Sequence, residues 1–234
     1  MTNAGPGTAG RGGPDRWHLS ERRLYLCTPD RPDLEVFVGR CIAGGVDVVQ
    51  LREKQLGDAA LVARAGLVQH VCSAEGVPFV LNDRPDLAAA MGADGVHVGQ
   101  DDLSAVGARA VVGPDVLIGL STHSQEDLDA ALGGGGSSGD PAPVDYLSAG
   151  PVVPTPTKPG RAGTGTGYLT EATSRSPWPV WVTGGVDPGA VAGLADAGAR
   201  HFVVVRWLVG SDDPEQAART LRRRIDEALA ERSA

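Results

Sequence analysis

The segment Gln50-Leu51-Arg52-Glu53-Lys54 closes a β-branched run, "DVVQLRE" (47–53) and its following lysine. On a strand, a period of two puts Gln50, Arg52 and Lys54 on one face. Two cations and an amide aimed at one place are costly to desolvate unless an anion meets them. An outward-facing charged strand end, with Glu53 as partner, is the other reading. Further along, "PFVLND" ends in Asn82 and Asp83, and "VHVGQDD" ends in Gln100, Asp101 and Asp102. Asp83 and Asp102 could bracket one divalent ion, because Mg2+ takes one or two carboxylates and completes its shell with water and substrate phosphate. Turn capping by Asn82–Asp83 and helix N-capping by Asp101–Asp102 would account for each motif taken singly. Both motifs beside a cationic strand end favour a magnesium–phosphate site.

Four other clusters carry chemistry. Ser121 and Thr122 offer hydroxyls to phosphate oxygens, or cap a helix starting near Ser124. "AGPVVPTPTKPG" (149–160) packs four prolines and Lys158 into a stretch that leaves a strand for a stiffened loop. Of the chain's 21 basic residues, 19 are Arg, and the two lysines are Lys54 and Lys158. An ammonium is a compact point charge, unlike the guanidinium fork. "TGGV" (183–186) and "VVRW" (204–207) end two late apolar runs, and Gly184 and Gly185 would let backbone N–H groups approach a ligand closely. His97 and His123 have no orienting partner legible in the sequence and read as structural histidines.

The elements that must position these residues alternate regularly. Strands are expected at 23–28, 47–53, 78–83, 95–99, 116–121, 144–150, 179–184 and 201–207, with helical patterns between them, several ending at glycine. Eight strands each followed by a crossover suggest a single parallel (β/α)8 barrel, the TIM-barrel class of α/β fold. An open doubly wound sheet would carry a Gly-rich phosphate turn after its first strand, and here that strand runs into "CTPDRPDL". In such a barrel the functional side is the C-terminal end of the strands, where the polar clusters fall. "GGGGSSGDPAP" (133–143) reads as a surface insertion, and the Gly-rich 158–168 as a flap or loose loop before a short helix.

Composition bounds the rest. The 234 residues are 41% hydrophobic and only 4% aromatic, so the core must be aliphatic. A net charge of −8 argues against nucleic acid or an anionic membrane as partner, so any bound anion needs local cations. Three cysteines without metal spacing fit reduced thiols in a cytoplasmic protein. No apolar run approaches membrane length. Residues 1–20 lack the apolar core of a signal peptide and read as a disordered extension before a catalytic domain over 21–234. The oligomeric state is open, a homo-oligomer included.

With "QLREK", "LNDRPDLA", "GVHVGQDDL", "GLSTHS", "GPVVPTPTK" and "GGV" in this order, the chain resembles the thiamine phosphate synthase family from about Leu24 to Leu208. The resemblance implies a Mg2+-dependent transferase of thiamine biosynthesis on a (β/α)8 barrel. The reaction joins 4-amino-2-methyl-5-(diphosphooxymethyl)pyrimidine to 4-methyl-5-(2-phosphoethyl)thiazole and releases pyrophosphate. It implies that Gln50, Leu51, Arg52, Glu53, Lys54, Asn82 and Ser121 contact the pyrimidine diphosphate, and that Asp83 and Asp102 hold the metal. Thr155, Pro156 and Thr157 would meet the thiazole phosphate, with Gly185, Val205 and Arg206 closing over it. Lys158 would reach the pyrophosphate, and Arg52, Lys54 and Lys158 would be the catalytic cations. Two features depart from the family: Arg206 stands where a Ser is common, and the 133–143 insertion is long. A metal-free thiazole tautomerase relative and a non-catalytic phosphate-ligand binding protein on the same barrel are the alternatives.

Overall fold

The computed structural model describes residues 17–133, 142–155 and 162–232. Its strands are β1 (Leu24–Thr28), β2 (Val48–Leu51), β3 (Phe79–Asn82), β4 (Gly95–Val98), β5 (Leu117–Thr122), β6 (Tyr146–Ala149), β7 (Val180–Val182) and β8 (His201–Val204). All pair in parallel in sequence order, and β8 returns to β1, so the sheet closes as a barrel. Between them run α1 (Leu34–Ala43), α2 (Asp58–Ala74), α3 (Pro85–Met91), α4 (Ala105–Val112), α5 (Gln125–Ala131), α6 (Gly165–Arg175) and α7 (Val191–Asp196). The short α8 (Arg206–Val209) and the amphipathic α9 (Pro214–Ala230) follow β8. No described helix is long and apolar enough to cross a membrane.

Strand alternation divides the core in two. Leu24, Leu26, Val49, Leu51, Phe79 and Leu81 face the helices in the outer, mostly aliphatic core. Tyr25, Val48, Val80, Leu117, Tyr146 and Trp181 fill the barrel interior. Cys41 and Cys72 are buried in the outer core, where burial pushes the Cys41 thiol up to about 12 and the Cys72 thiol higher still. Such thiols are inert.

Three aspartates at the starts of even strands hold main-chain amides of the strand before. Asp47 accepts from Arg23 N (2.8 Å) and Leu24 N (2.9 Å), Asp94 from Phe79 N (3.1 Å), and Asp145 from Ile118 N (2.7 Å). These bonds fasten the N-terminal end of the barrel and leave the opposite end to the loops.

Some boundaries differ from those the sequence suggests. Trp17 and Leu19, inside the expected N-terminal extension, pack on the interior cluster at the barrel base; residues 1–16 lie outside the described residues. Strand β8 stops at Val204, and Arg206 opens helix α8 rather than ending a strand. Helix α6 runs eleven residues from Gly165, longer than expected. Gly163 before it serves close packing, since a Cβ there would lie 2.5 Å from the Val152 carbonyl oxygen. Most of the 133–143 insertion lies outside the described residues.

Candidate active site

The C-terminal ends of the strands surround a cavity of about 530 Å³, within the range that takes a small-molecule ligand. Gln50, Arg52 and Lys54 all line it, as the period-two reading requires. Leu51 lies in the outer core, and the Glu53 carboxylate accepts from Gln55 N (2.8 Å); neither side chain is among those lining the cavity.

The carboxylates come from the next two strand ends. Asp83 has φ +61°, a left-handed conformation that Asp tolerates better than most residues. Its amide donates to the His97 carbonyl (2.8 Å), and its carboxylate meets Lys54 Nζ at 2.6 Å. Asp102 accepts from Gly99 N at 2.8 Å and hydrogen-bonds to Asp83. A side chain at Gly99 would crowd this carboxylate, its Cβ falling 3.0 Å from Asp102 Oδ2. Each of these two carboxylates affects the ionisation of the other. Burial, with Asp102 adding to it against Lys54, holds Asp83 above the usual carboxylate range. Burial also opposes ionisation of Asp102, but the bonds from Asp83 and Gly99 N and the Lys54 charge outweigh it and hold Asp102 below that range.

Paired carboxylates mark a place where a cation is favourable. Among the described residues no group of three or more His, Cys, Asp or Glu side chains is arranged to hold a metal. An ion here would therefore rest on two carboxylates and take its other ligands from water and phosphate, the manner of Mg2+. The donor set fits that ion.

Other groups in the cavity want an anion. Asn82 is buried, and its Nδ2 has no hydrogen-bond partner among the described residues. A buried amide left unpaired is costly, so a ligand acceptor there is worth a great deal. Arg52 and Arg206 line the cavity, and their guanidinium groups bond to no described residue. Arginines elsewhere are held by carboxylates or main-chain carbonyls, as are Arg109, Arg222, Arg22 and Arg200.

The opposite wall is built by two loops packed on each other. A Cβ at Gly184 would lie 2.5 Å from Pro151 Cβ, and one at Gly185 2.6 Å from Val153 Cγ2; both glycines have positive φ. Val152 N donates to the Thr183 carbonyl (2.8 Å) and ties the loops together. Thr155, Gly185, Val205 and Arg206 line this wall. Pro156, Thr157 and Lys158 lie outside the described residues. Ser121 lines the floor, while Thr122 turns away and donates to the Ser148 carbonyl.

Several lining residues were not singled out by sequence: Tyr25, Cys27, Tyr146 and Ser148. The available signal was strand alternation, since each shares the parity of an inward-facing neighbour. The two histidines also gain partners. His123 Nδ1 bonds to the Gly150 carbonyl, and His97, inside the cavity, bonds to Tyr146 and Ser121.

Comparison with known proteins points to one family. A family model described as thiamine monophosphate synthase matches residues 24–208. The thiamine-phosphate synthase of Thermus thermophilus is 44% identical over 211 residues, covering 87% of this chain and 97% of its own. That of a Mycobacterium species is 42% identical over 221 residues, covering 87% and 92%. Among solved structures, a thiamine phosphate pyrophosphorylase from Pyrococcus furiosus superposes with a TM-score of 0.77 at 27% identity, covering 88% of this chain and 96% of that one.

Proposed function

The chain belongs to the thiamine monophosphate synthase family, and from that premise we propose how its barrel mouth carries out the family's reaction, with Mg2+ held by Asp83 and Asp102. It is a transferase that joins the pyrimidine diphosphate to the thiazole phosphate, giving thiamine phosphate and pyrophosphate. The C–O bond to pyrophosphate breaks first, its electron pair leaving with the diphosphate. The thiazole nitrogen lone pair then captures the pyrimidine-methyl cation and forms the C–N bond. Little proton transfer is needed, which suits a cavity rich in cations.

In this reading Arg52, Lys54 and Lys158 face the charge that develops on the leaving diphosphate, and Asn82 donates its unpaired amide to it. When bound, Mg2+ neutralises part of that charge. Gln50 and Ser121 read the pyrimidine ring, and Leu51 and Glu53 offer main chain. Thr155, Pro156 and Thr157 meet the thiazole phosphate with Gly185, Val205 and Arg206. Losing one such preorganised contact costs on the order of 3 kcal/mol, about a hundredfold in rate. A cytoplasmic location, with no nucleic-acid or membrane partner, accords with three buried cysteines outside any disulfide and a net charge of −8.

The observation that carries this reading is the convergence of Arg52, Lys54, Asn82, Asp83 and Asp102, from three successive strand ends, on one cavity. A metal-free tautomerase would have no use for the carboxylate pair. Purified protein given both substrates and Mg2+ is expected to release thiamine phosphate and pyrophosphate in equal amounts, to stop with EDTA, and to recover on adding Mg2+. Binding without product at any enzyme concentration would leave only a binding protein.

A further inference from the structure

The barrel floor holds an unbroken series of hydrogen bonds from β1 and β2 across to β4, β5 and β6. Cys27 Sγ donates to Gln50 Oε1 (3.1 Å), and Gln50 Nε2 donates to the Tyr25 hydroxyl (2.9 Å). That hydroxyl lies 3.0 Å from the Tyr146 hydroxyl, which lies 3.2 Å from His97 Nδ1. His97 Nε2 lies 2.9 Å from Ser121 Oγ. Both tyrosines stay protonated, because burial raises each phenol above its ordinary value, with the Tyr146 charge adding to the effect at Tyr25. Each therefore supplies one proton.

Those protons set a direction. Tyr25 accepts from Gln50, so its own proton goes to Tyr146. Tyr146 then donates to His97 Nδ1, which places the imidazole proton on Nε2, directed at Ser121. Ser121 accepts from His97 and keeps its own proton for another acceptor. Tyr146 can stand at the middle only because β5 has Gly119 opposite, where a Cβ would lie 2.1 Å from Tyr146 Cζ and 2.5 Å from His97 Nδ1. The ring is further fixed against His97, stacked at 5.6 Å, and edge-on to Trp181 at 6.4 Å.

We infer that Tyr25 and Tyr146 are positioning residues, which join the Gln50 amide and the Ser121 hydroxyl into one relay of fixed polarity that reads the pyrimidine ring. The inference rests on the proposed function for its ligand, and on the hydrogen-bond geometry for the relay itself. A pyrimidine bearing an amino group presents donors and acceptors at its edge. An amide free to turn over, and a hydroxyl free to rotate, would read that edge poorly. Before substrate arrives, the relay fixes the amide and turns the hydroxyl proton away from His97.

Tyr146→Phe keeps the ring and removes the bond at the centre. Its KM for the pyrimidine diphosphate is expected to rise about tenfold or more, while the KM for the thiazole phosphate stays within twofold. Tyr25→Phe breaks the relay one bond earlier and is expected to show the same split. An unchanged pyrimidine KM, or equal rises in both constants, overturns the inference. A readout free of substrate is the imidazole 15N shift of His97. The Nε2–H tautomer is expected in the native protein, with a tautomer mixture in Tyr146→Phe; a native Nδ1–H tautomer overturns the relay even if neither variant folds. If the native protein makes no thiamine phosphate, the proposed function fails while the tautomer still tests the relay.

Discussion

Arg52 and Arg206 share a chemistry and differ in what they face. Arg52 stands beside Lys54 and Asp83 at the end of β2, while Arg206 opens α8 across the cavity near Gly185. The first would meet charge that grows as the diphosphate leaves; the second would meet a phosphate whose charge does not change in the reaction. Transition-state contacts show in kcat, and contacts made equally throughout show in KM. Arg52→Ala is therefore expected to lower kcat about a hundredfold. Arg206→Ser should raise the KM for the thiazole phosphate about tenfold, the scale of one charge-assisted hydrogen bond, with kcat nearly unchanged. Steady-state kinetics with each substrate varied decides it, and a kcat loss in Arg206→Ser would mean the assignment of phosphates to walls is reversed. At this scale the sequence was most legible where a polar residue broke an apolar strand pattern, as Gln50 and Asn82 do. It was least legible at Tyr25 and Tyr146, because an aromatic side chain suits either wall of a strand and barrel closure decides which one it faces. The left-handed backbone of Asp83, which turns its carboxylate toward Lys54, leaves no mark in a residue pattern.

The strands were readable as apolar runs, and their order followed from the crossovers between them. The strand end furthest from expectation was that of β8, because "VVVRWLV" is equally apolar as a strand or as the start of a helix. The turn at Val205 (φ −126°, ψ −81°) separates the two. The same strand supplies a pH-sensitive stability element at its first residue. His201 donates Nδ1–H to the Arg22 carbonyl (2.6 Å) and lies 5.0 Å from the Trp181 ring. Burial holds its pKa down to about 4, against the ordinary 6.5. The unfolded chain thus binds the extra proton first. The contribution is complete above pH 6.5 and is lost as pH falls toward 4, amounting to about 3 kcal/mol. Urea unfolding of the native protein and of His201→Gln at pH 7.5 and pH 4.5 measures it. The variant's loss of stability on acidification is expected to be smaller; identical losses would show that His201 titrates normally in the folded barrel.

At the scale of the whole molecule, the puzzle is that a chain of net charge −8 binds two phosphate-bearing substrates. Steering by overall charge works against it, so attraction has to be local and short-ranged. Part of the local cationic charge is already spent, since Lys54 is paired with Asp83. A divalent ion on Asp83 and Asp102 would reverse that account, cancelling the two carboxylates and releasing Lys54 toward the diphosphate. Metal and pyrophosphate should then bind as a unit, each poorly without the other, which is a positive coupling between ligands. Saturation at about a hundred times Kd stabilises the folded state by about 2.7 kcal/mol, or roughly 5–10 °C in Tm for a domain of this size. Thermal unfolding with Mg2+ alone and with pyrophosphate alone should show small shifts, and the two together the full one. In Asp102→Ala the combined shift should fall back to that of pyrophosphate alone. A full shift with pyrophosphate and EDTA would mean that Arg52, Lys54 and Asn82 suffice for the anion, and that the carboxylate pair does not act as a metal site.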